Sequence, residues 1–127
     1  MSSSLATQQA HAKQLYAIDA TVADSHLLTD ADALLAHARS AVAAGRGHVL
    51  DEALVVFPNG AVTLVLVLAE SHLSLHTWPE ERLLSVDLFS CGTIDCNRVI
   101  ESLRIGLALC QLTVRHVHRG IGGGDAG

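Results

Sequence analysis

The dipeptide Glu70-Ser71 is followed by His72, Ser74, His76, Thr77 and, further on, Cys91, all directly after the apolar run 64–69. Hydroxyls, imidazoles, a carboxylate and a thiol beside a core segment are costly to bury unless paired or used, so residues 69–92 are where chemistry is expected. A serine hydroxyl on a turning or strained backbone can attack the carbonyl of the preceding residue. The acyl group then moves from nitrogen to oxygen, and the Glu70–Ser71 peptide bond becomes an ester. Two helpers are needed: a donor for the tetrahedral oxyanion, and a base for the serine α-proton, whose loss eliminates the ester. Thr63 and His76 carry groups suited to those tasks. Cys91, set between Ser90 and flexible Gly92, offers a thiol, a group that can hold and give a proton when its environment tunes it. Cys96 and Cys110 fall at helix-packing positions instead.

Each residue also has a structural reading. His76 fits a hydrogen-bonded strand histidine, Glu80 a solvated turn acid, and Trp78 a shaper of the turn at Pro79. Phe57 reads as core as readily as a stacking platform, because Tyr16, Phe57, Trp78 and Phe89 are the only Tyr, Phe and Trp residues. His72 and His76 share a strand face, but no third ligand stands at metal-binding spacing, so no metal is expected. His116 and His118 read as an exposed edge.

Taken together, Glu70-Ser71-His72-Leu73-Ser74-Leu75-His76-Thr77-Trp78-Pro79-Glu80, followed by Asp87-Leu88-Phe89-Ser90-Cys91-Gly92, resembles the signature of bacterial and archaeal S-adenosylmethionine decarboxylases. In that family the serine of a Glu-Ser-His motif is cleaved autocatalytically to a pyruvoyl group. The resemblance implies that Ser71 becomes the pyruvoyl terminus of an α chain, residues 71–127, and that Glu70 ends a β chain, residues 1–70. It implies further that His76 is the processing base, that Thr63 stands for a serine that assists processing, and that Cys91 is the proton donor. Glu80 matches the carboxylate that holds the ribose hydroxyls, and Phe57 falls where a ring helps stack the adenine. A pyruvoyl ketone condenses with the substrate amine to a Schiff base and accepts the electrons released as carbon dioxide leaves. The implied product is the aminopropyl donor for spermidine synthesis.

Two stretches depart from the family pattern. Pro58-Asn59-Gly60-Ala61-Val62-Thr63 replaces a Pro-x-Gly-Val-Ser turn, and Glu81-Arg82-Leu83 replaces an aromatic-Gly-aromatic stretch near the expected mouth of the pocket. The second change raises an alternative, a pyruvoyl enzyme acting on another amino acid such as ornithine or arginine. A third reading, a non-catalytic binding or activating subunit, is opposed by the retention of Ser71, His76 and Cys91 in register.

The elements that must position these groups follow from periodicity. Residues 14–19 alternate as a first strand. Thr29-Asp30-Ala31-Asp32 resembles a capping box that starts a helix, with Leu34, Leu35, Ala38, Ala41 and Val42 on one face and Gly45 and Gly47 as left-handed stops. Strands 49–57 and 61–70 flank a Pro58-Asn59-Gly60 turn, 78–81 turns again, and 83–89 forms another strand. Thr93 or Asp95 caps a second helix carrying Val99, Ile100, Leu103, Leu107 and Cys110, and 112–117 is the last strand. This order predicts an α+β two-layer sandwich, a mostly antiparallel sheet with two helices on one face. It forms a single domain, 13–119, between a flexible N-terminus, 1–12, and a disordered Gly-rich tail, 120–127. The central strands read as apolar on both sides, so a second copy is expected to cover the open face in a homodimer.

Composition narrows the partners. The chain of 127 residues is 50% apolar, and its net charge of −5 without a Lys/Arg cluster argues against nucleic acid or an anionic membrane surface. No apolar run reaches the length of a membrane span, residues 1–12 lack the marks of a signal peptide, and the three cysteines form no Cys-x-x-Cys pair. The expectation is a cytoplasmic enzyme with a small-molecule substrate.

Overall fold

The computed structural model describes residues 12–121, in which six strands form one sheet and two helices cover one of its faces. The chain runs β1 (Lys13–Val22), a 3-10 turn (Ser25–Thr29), α1 (Ala31–Ala44), β2 (Val49–Val56), β3 (Val62–Leu68) and β4 (Ser71–Trp78). It continues through a second 3-10 turn (Pro79–Glu81), β5 (Leu83–Ser90), α2 (Cys96–Gly106) and β6 (Leu109–Arg119). The spatial order is β2-β3-β4-β5-β1-β6, and every pair of neighbours is antiparallel. This is the α+β two-layer sandwich that the element order predicts. The termini expected to be unordered, 1–12 and 120–127, lie almost wholly outside the described residues.

The core is aliphatic, as the scarcity of rings requires. Ile18, Leu64, Leu66, Leu73, Leu75, Leu84, Val86 and Leu88 point from the sheet onto Leu34, Ala38, Ala41 and Val42 of α1 and Val99 and Leu103 of α2. Truncating one such leucine to alanine costs about 2–5 kcal/mol, because lost transfer energy and the residual cavity add.

Four details differ from the sequence expectation. The sheet has a sixth strand, β4, made from the polar stretch after Glu70; its Leu73, Leu75 and Thr77 alternate inward while Ser74 and His76 face the open side. The first helix is capped by Asp30 rather than Thr29. The Asp30 carboxylate accepts from the Ala33 amide at 3.1 Å, whereas the Thr29 hydroxyl donates to the His26 carbonyl and closes the 3-10 turn. The left-handed residue after α1 is Arg46, φ +62°, while Gly45 sits at φ −87°. Gly45 is glycine for room: a Cβ there would lie 2.5 Å from Val99 and 2.7 Å from the Asp95 carbonyl. Lastly, Cys110 lies exposed on β6, beyond the second helix.

The face opposite the helices is less apolar than expected. Val65 and Val67 of β3 are there, but β4 and β5 present His72, Ser74, His76, Ser85 and Asp87, and Ser85 donates to Asp19 at 2.5 Å. The edge reading of His116 and His118 fits their place on β6. His116 stacks on Tyr16 with ring centroids 4.2 Å apart.

Candidate active site

The β3–β4 hairpin turns on Ala69 and Glu70, so that Leu68 pairs directly with Ser71. This tight reversal leaves Ser71 at φ +135°, a region that side-chain-bearing residues rarely adopt and that costs about 1–3 kcal/mol. The Ser71 hydroxyl donates to Cys91 Sγ at 3.2 Å. The carbonyl of Glu70, which belongs to the bond expected to break, accepts from the Cys91 amide at 3.0 Å and lies 3.6 Å from the Cys91 thiol. A backbone donor is thus already aimed at the oxygen on which negative charge would develop. Cys91 reaches this spot because the 91–95 loop is held at both ends. Asp95 donates its amide to the Gly45 carbonyl at 2.9 Å, and a Cβ on Gly92 would stand 3.2 Å from Glu70 Cγ.

Glu70 itself is buried, and His48 meets its carboxylate with both its amide and its ring. Burial pushes the Glu70 carboxyl up, but the hydrogen bonds from the His48 ring and amide outweigh it and hold the group below the ordinary carboxylate range. Cys96 behaves in the opposite way from a reactive thiol: burial pushes it up and keeps it protonated within the helix packing.

A second constellation occupies the other end of β4. Thr63 stands directly across from His76, with its hydroxyl 3.1 Å from His76 Nδ1. Phe57, Asn59, Ala61, Thr63, His76, Thr77 and Trp78 line a cleft of about 380 Å³, a size suited to a small ligand. The Pro58-Asn59-Gly60 turn shapes its rim: the Phe57 amide donates to the Ala61 carbonyl at 2.8 Å, and Gly60 takes φ +89°. Below the cleft, buried Thr77 donates to the Leu28 carbonyl at 2.8 Å and accepts from the Val62 amide at 2.9 Å. Phe57 and Trp78 remain 46% and 37% exposed at the cleft. Glu80 is exposed on the 3-10 turn just past Trp78 and outside the cleft lining. Arg82, at φ +55°, donates to the Val22 carbonyl at 3.3 Å. Its guanidinium therefore points to β1, and the sequence change after Glu80 does not present it to the cleft.

The sequence-derived site residues fall into two groups. Glu70, Ser71 and Cys91 meet at one end of β4, and Phe57, Thr63 and His76 meet at the other. Along a strand rising about 3.3 Å per residue, the Cα atoms of Ser71 and His76 are separated by about 16 Å. Two further residues join these groups without having been singled out from sequence. Asn59 lines the cleft, and its place in a turn motif was the available signal. His48 is brought to Glu70 by the β2–β3 ladder, in which Val49 pairs with Leu68 and the Ala69 amide donates to the His48 carbonyl. Among the described residues, no group of three or more His, Cys, Asp or Glu is set to hold a metal ion.

A strained serine and a thiol at one end of an open antiparallel sheet, with a histidine-lined cleft at the other, mark a two-layer α+β enzyme. The fold is that of the crystallised adenosylmethionine decarboxylase of Aquifex aeolicus, with a TM-score of 0.78 over 87% of this chain and 92% of that one, at 24% identity. The family model for S-adenosylmethionine decarboxylase matches residues 14–120, and the chain belongs to that family. The chain is 33% identical to S-adenosylmethionine decarboxylase proenzyme 2 of Bacillus anthracis over 106 residues, 83% of this chain and 86% of that one. Over 70 residues it is 40% identical to the S-adenosylmethionine decarboxylase proenzyme of Pyrobaculum arsenaticum, covering 54% and 56% of the two chains.

Proposed function

We propose that this chain is a self-processing decarboxylase of S-adenosylmethionine whose electron acceptor is a pyruvoyl group made from Ser71. The observation that carries the proposal is the Glu70–Ser71 turn: a non-glycine residue at φ +135°, its hydroxyl next to Cys91, and the preceding carbonyl bonded by the Cys91 amide. Ser71 Oγ attacks the Glu70 carbonyl carbon, the C–N bond breaks as the proton passes from oxygen to nitrogen, and an ester remains. The Cys91 amide and thiol stabilise the oxyanion. Removal of the Ser71 α-proton then expels the Glu70 carboxylate, and hydrolysis of the enamine to the ketone releases ammonia.

Once formed, the pyruvoyl carbonyl supplies the sink for the electron pair left when carbon dioxide departs. Cys91, already beside residue 71, delivers the proton to the former α-carbon. Phe57 and Trp78 offer ring faces for the adenine, and Glu80 offers acceptors for the ribose hydroxyls. The product fits the aminopropyl donor of spermidine synthesis, and a working Cys91 thiol fits the reducing cytoplasm.

His76 and Thr63 stand too far from Ser71 along their own strand for proton transfer. We therefore place a second copy on the open face, its β4 antiparallel to this one, so that the partner's His76 and the partner's Thr63 approach Ser71. Stacked sheets lie about 10 Å apart, a gap that side chains from both faces can bridge. The homodimer is thus part of the mechanism.

Mass spectrometry of the purified protein tests the reading. The expected result is cleavage between Glu70 and Ser71, a blocked terminus on the 71–127 fragment, and an adduct there after borohydride and S-adenosylmethionine. Ser71→Ala should stay whole. An unmodified wild-type chain that never cleaves overturns the proposal.

A further inference from the structure

The Glu70 carboxylate, its side chain only 10% exposed, is gripped by a single residue in two ways. The His48 amide donates to Oε1 at 3.1 Å, and His48 Nδ1 lies 2.8 Å from Oε2. A third bond ties the same two segments, from the Ala69 amide to the His48 carbonyl at 2.9 Å. On the opposite side the 91–92 backbone closes in, leaving no space at Gly92 for a Cβ without crowding Glu70. Residue 70 is therefore held between His48 and the Cys91 loop, with its carbonyl bonded to the Cys91 amide. The strained Ser71 follows immediately. An unfavourable torsion persists only where its surroundings over-determine it, and here the acyl side of the bond is the part so fixed.

We infer that His48 is a positioning residue for self-cleavage, acting through the Glu70 carboxylate to keep the Glu70 carbonyl in place for attack by the Ser71 hydroxyl. The inference rests on the self-cleavage reading above. His48 touches neither reacting atom. Its side chain is 73% exposed, so replacing it removes no core packing, and its backbone amide can still donate to Glu70 in any variant but proline. The variants below isolate the ring.

The measurement is the rate of cleavage of newly synthesised protein, followed on denaturing gels after a pulse of cell-free translation. His48→Ala should slow cleavage about tenfold or more, the scale of losing one hydrogen bond to a charged group. His48→Asn, whose side-chain amide can occupy the position of Nδ1–H, should restore the rate to within about threefold of wild type. Combining His48→Ala with Glu70→Ala should give the rate of Glu70→Ala alone, since the carboxylate through which the ring acts is gone. Wild-type speed in His48→Ala, no recovery in His48→Asn, or further slowing in the double variant would each overturn the inference while leaving self-cleavage standing. A wild-type chain that never cleaves would remove both.

Discussion

The two ends of β4 are built by opposite rules. At Ser71 the strand begins in a strained conformation, on a reversal of only two residues, with a carbonyl and a hydroxyl crowded against Cys91. At His76 the backbone is regular, Thr63 lies directly across the ladder, and the adjacent Thr77 has its hydroxyl doubly bonded beneath the surface. On the proposed reading, the contrast matches what each end would have to do. Self-attack on a peptide bond is favoured where a strained turn holds its carbonyl close to a nucleophile. A base and a ring-lined cleft must instead keep their geometry as ligands come and go, which demands a stiff sheet.

The sharpest way to break this contrast is to disable one end at a time. His76→Ala should slow cleavage by about 10²–10⁴, the usual contribution of a general base, although the strained turn is untouched. Co-expression with a Ser71→Ala chain, whose own His76 is intact, should restore cleavage of the His76→Ala chain. Distinguishing the two chains by a tag on a gel reads this out, and absence of rescue would mean that the two ends do not work across copies. Cys91→Ala should still cleave, more slowly, but turn over about 10²–10³ less well, measured as carbon dioxide release from S-adenosylmethionine. At the cleft end, Phe57→Ala should act on binding, raising KM about tenfold with a smaller change in kcat, as expected for a lost stacking face.

The smallest effect concerns acid. Because Glu70 is held below its ordinary value of 4.5, its contribution to stability is full above that pH and is lost as the pH falls through the lowered folded value. Urea titrations at pH 7 and pH 3.5, run on chains kept whole by Ser71→Ala, should therefore show the chain with Glu70 losing more stability than the same chain carrying Glu70→Gln. Equal losses would mean that the His48 grip stabilises nothing.

Much of the site was legible in the sequence because it is local. Residues 69–92 contain the proposed nucleophile, base and thiol, the Pro58-Asn59-Gly60 turn forms where its residue types demand, and Asp95 caps α2 by accepting from the Arg98 amide. What escaped has physical causes. The alternation of Ser74 and His76 with Leu73 and Leu75 has the period of a strand, but the density of polar, reactive side chains on its outer face hides that period. Proximity in sequence also misleads inside a strand. Residues three or four apart are neighbours on a helix, whereas in a sheet each step along the strand adds about 3.3 Å, so Ser71 and His76 occupy opposite ends of one element. His48 gave no local sign at all, because its partnership with Glu70 exists only once β2 and β3 are zipped together.

A cut after Glu70 would separate the chain into two pieces that the sheet does not let go. β1, from the first piece, lies between β5 and β6 of the second, and β3 of the first remains laddered to β4. The fragments are interleaved rather than merely adjacent. An unfolded precursor can refold as one molecule, whereas the unfolded cut form must first find its other half by collision, so maturation would exchange a concentration-independent refolding for one that fails on dilution.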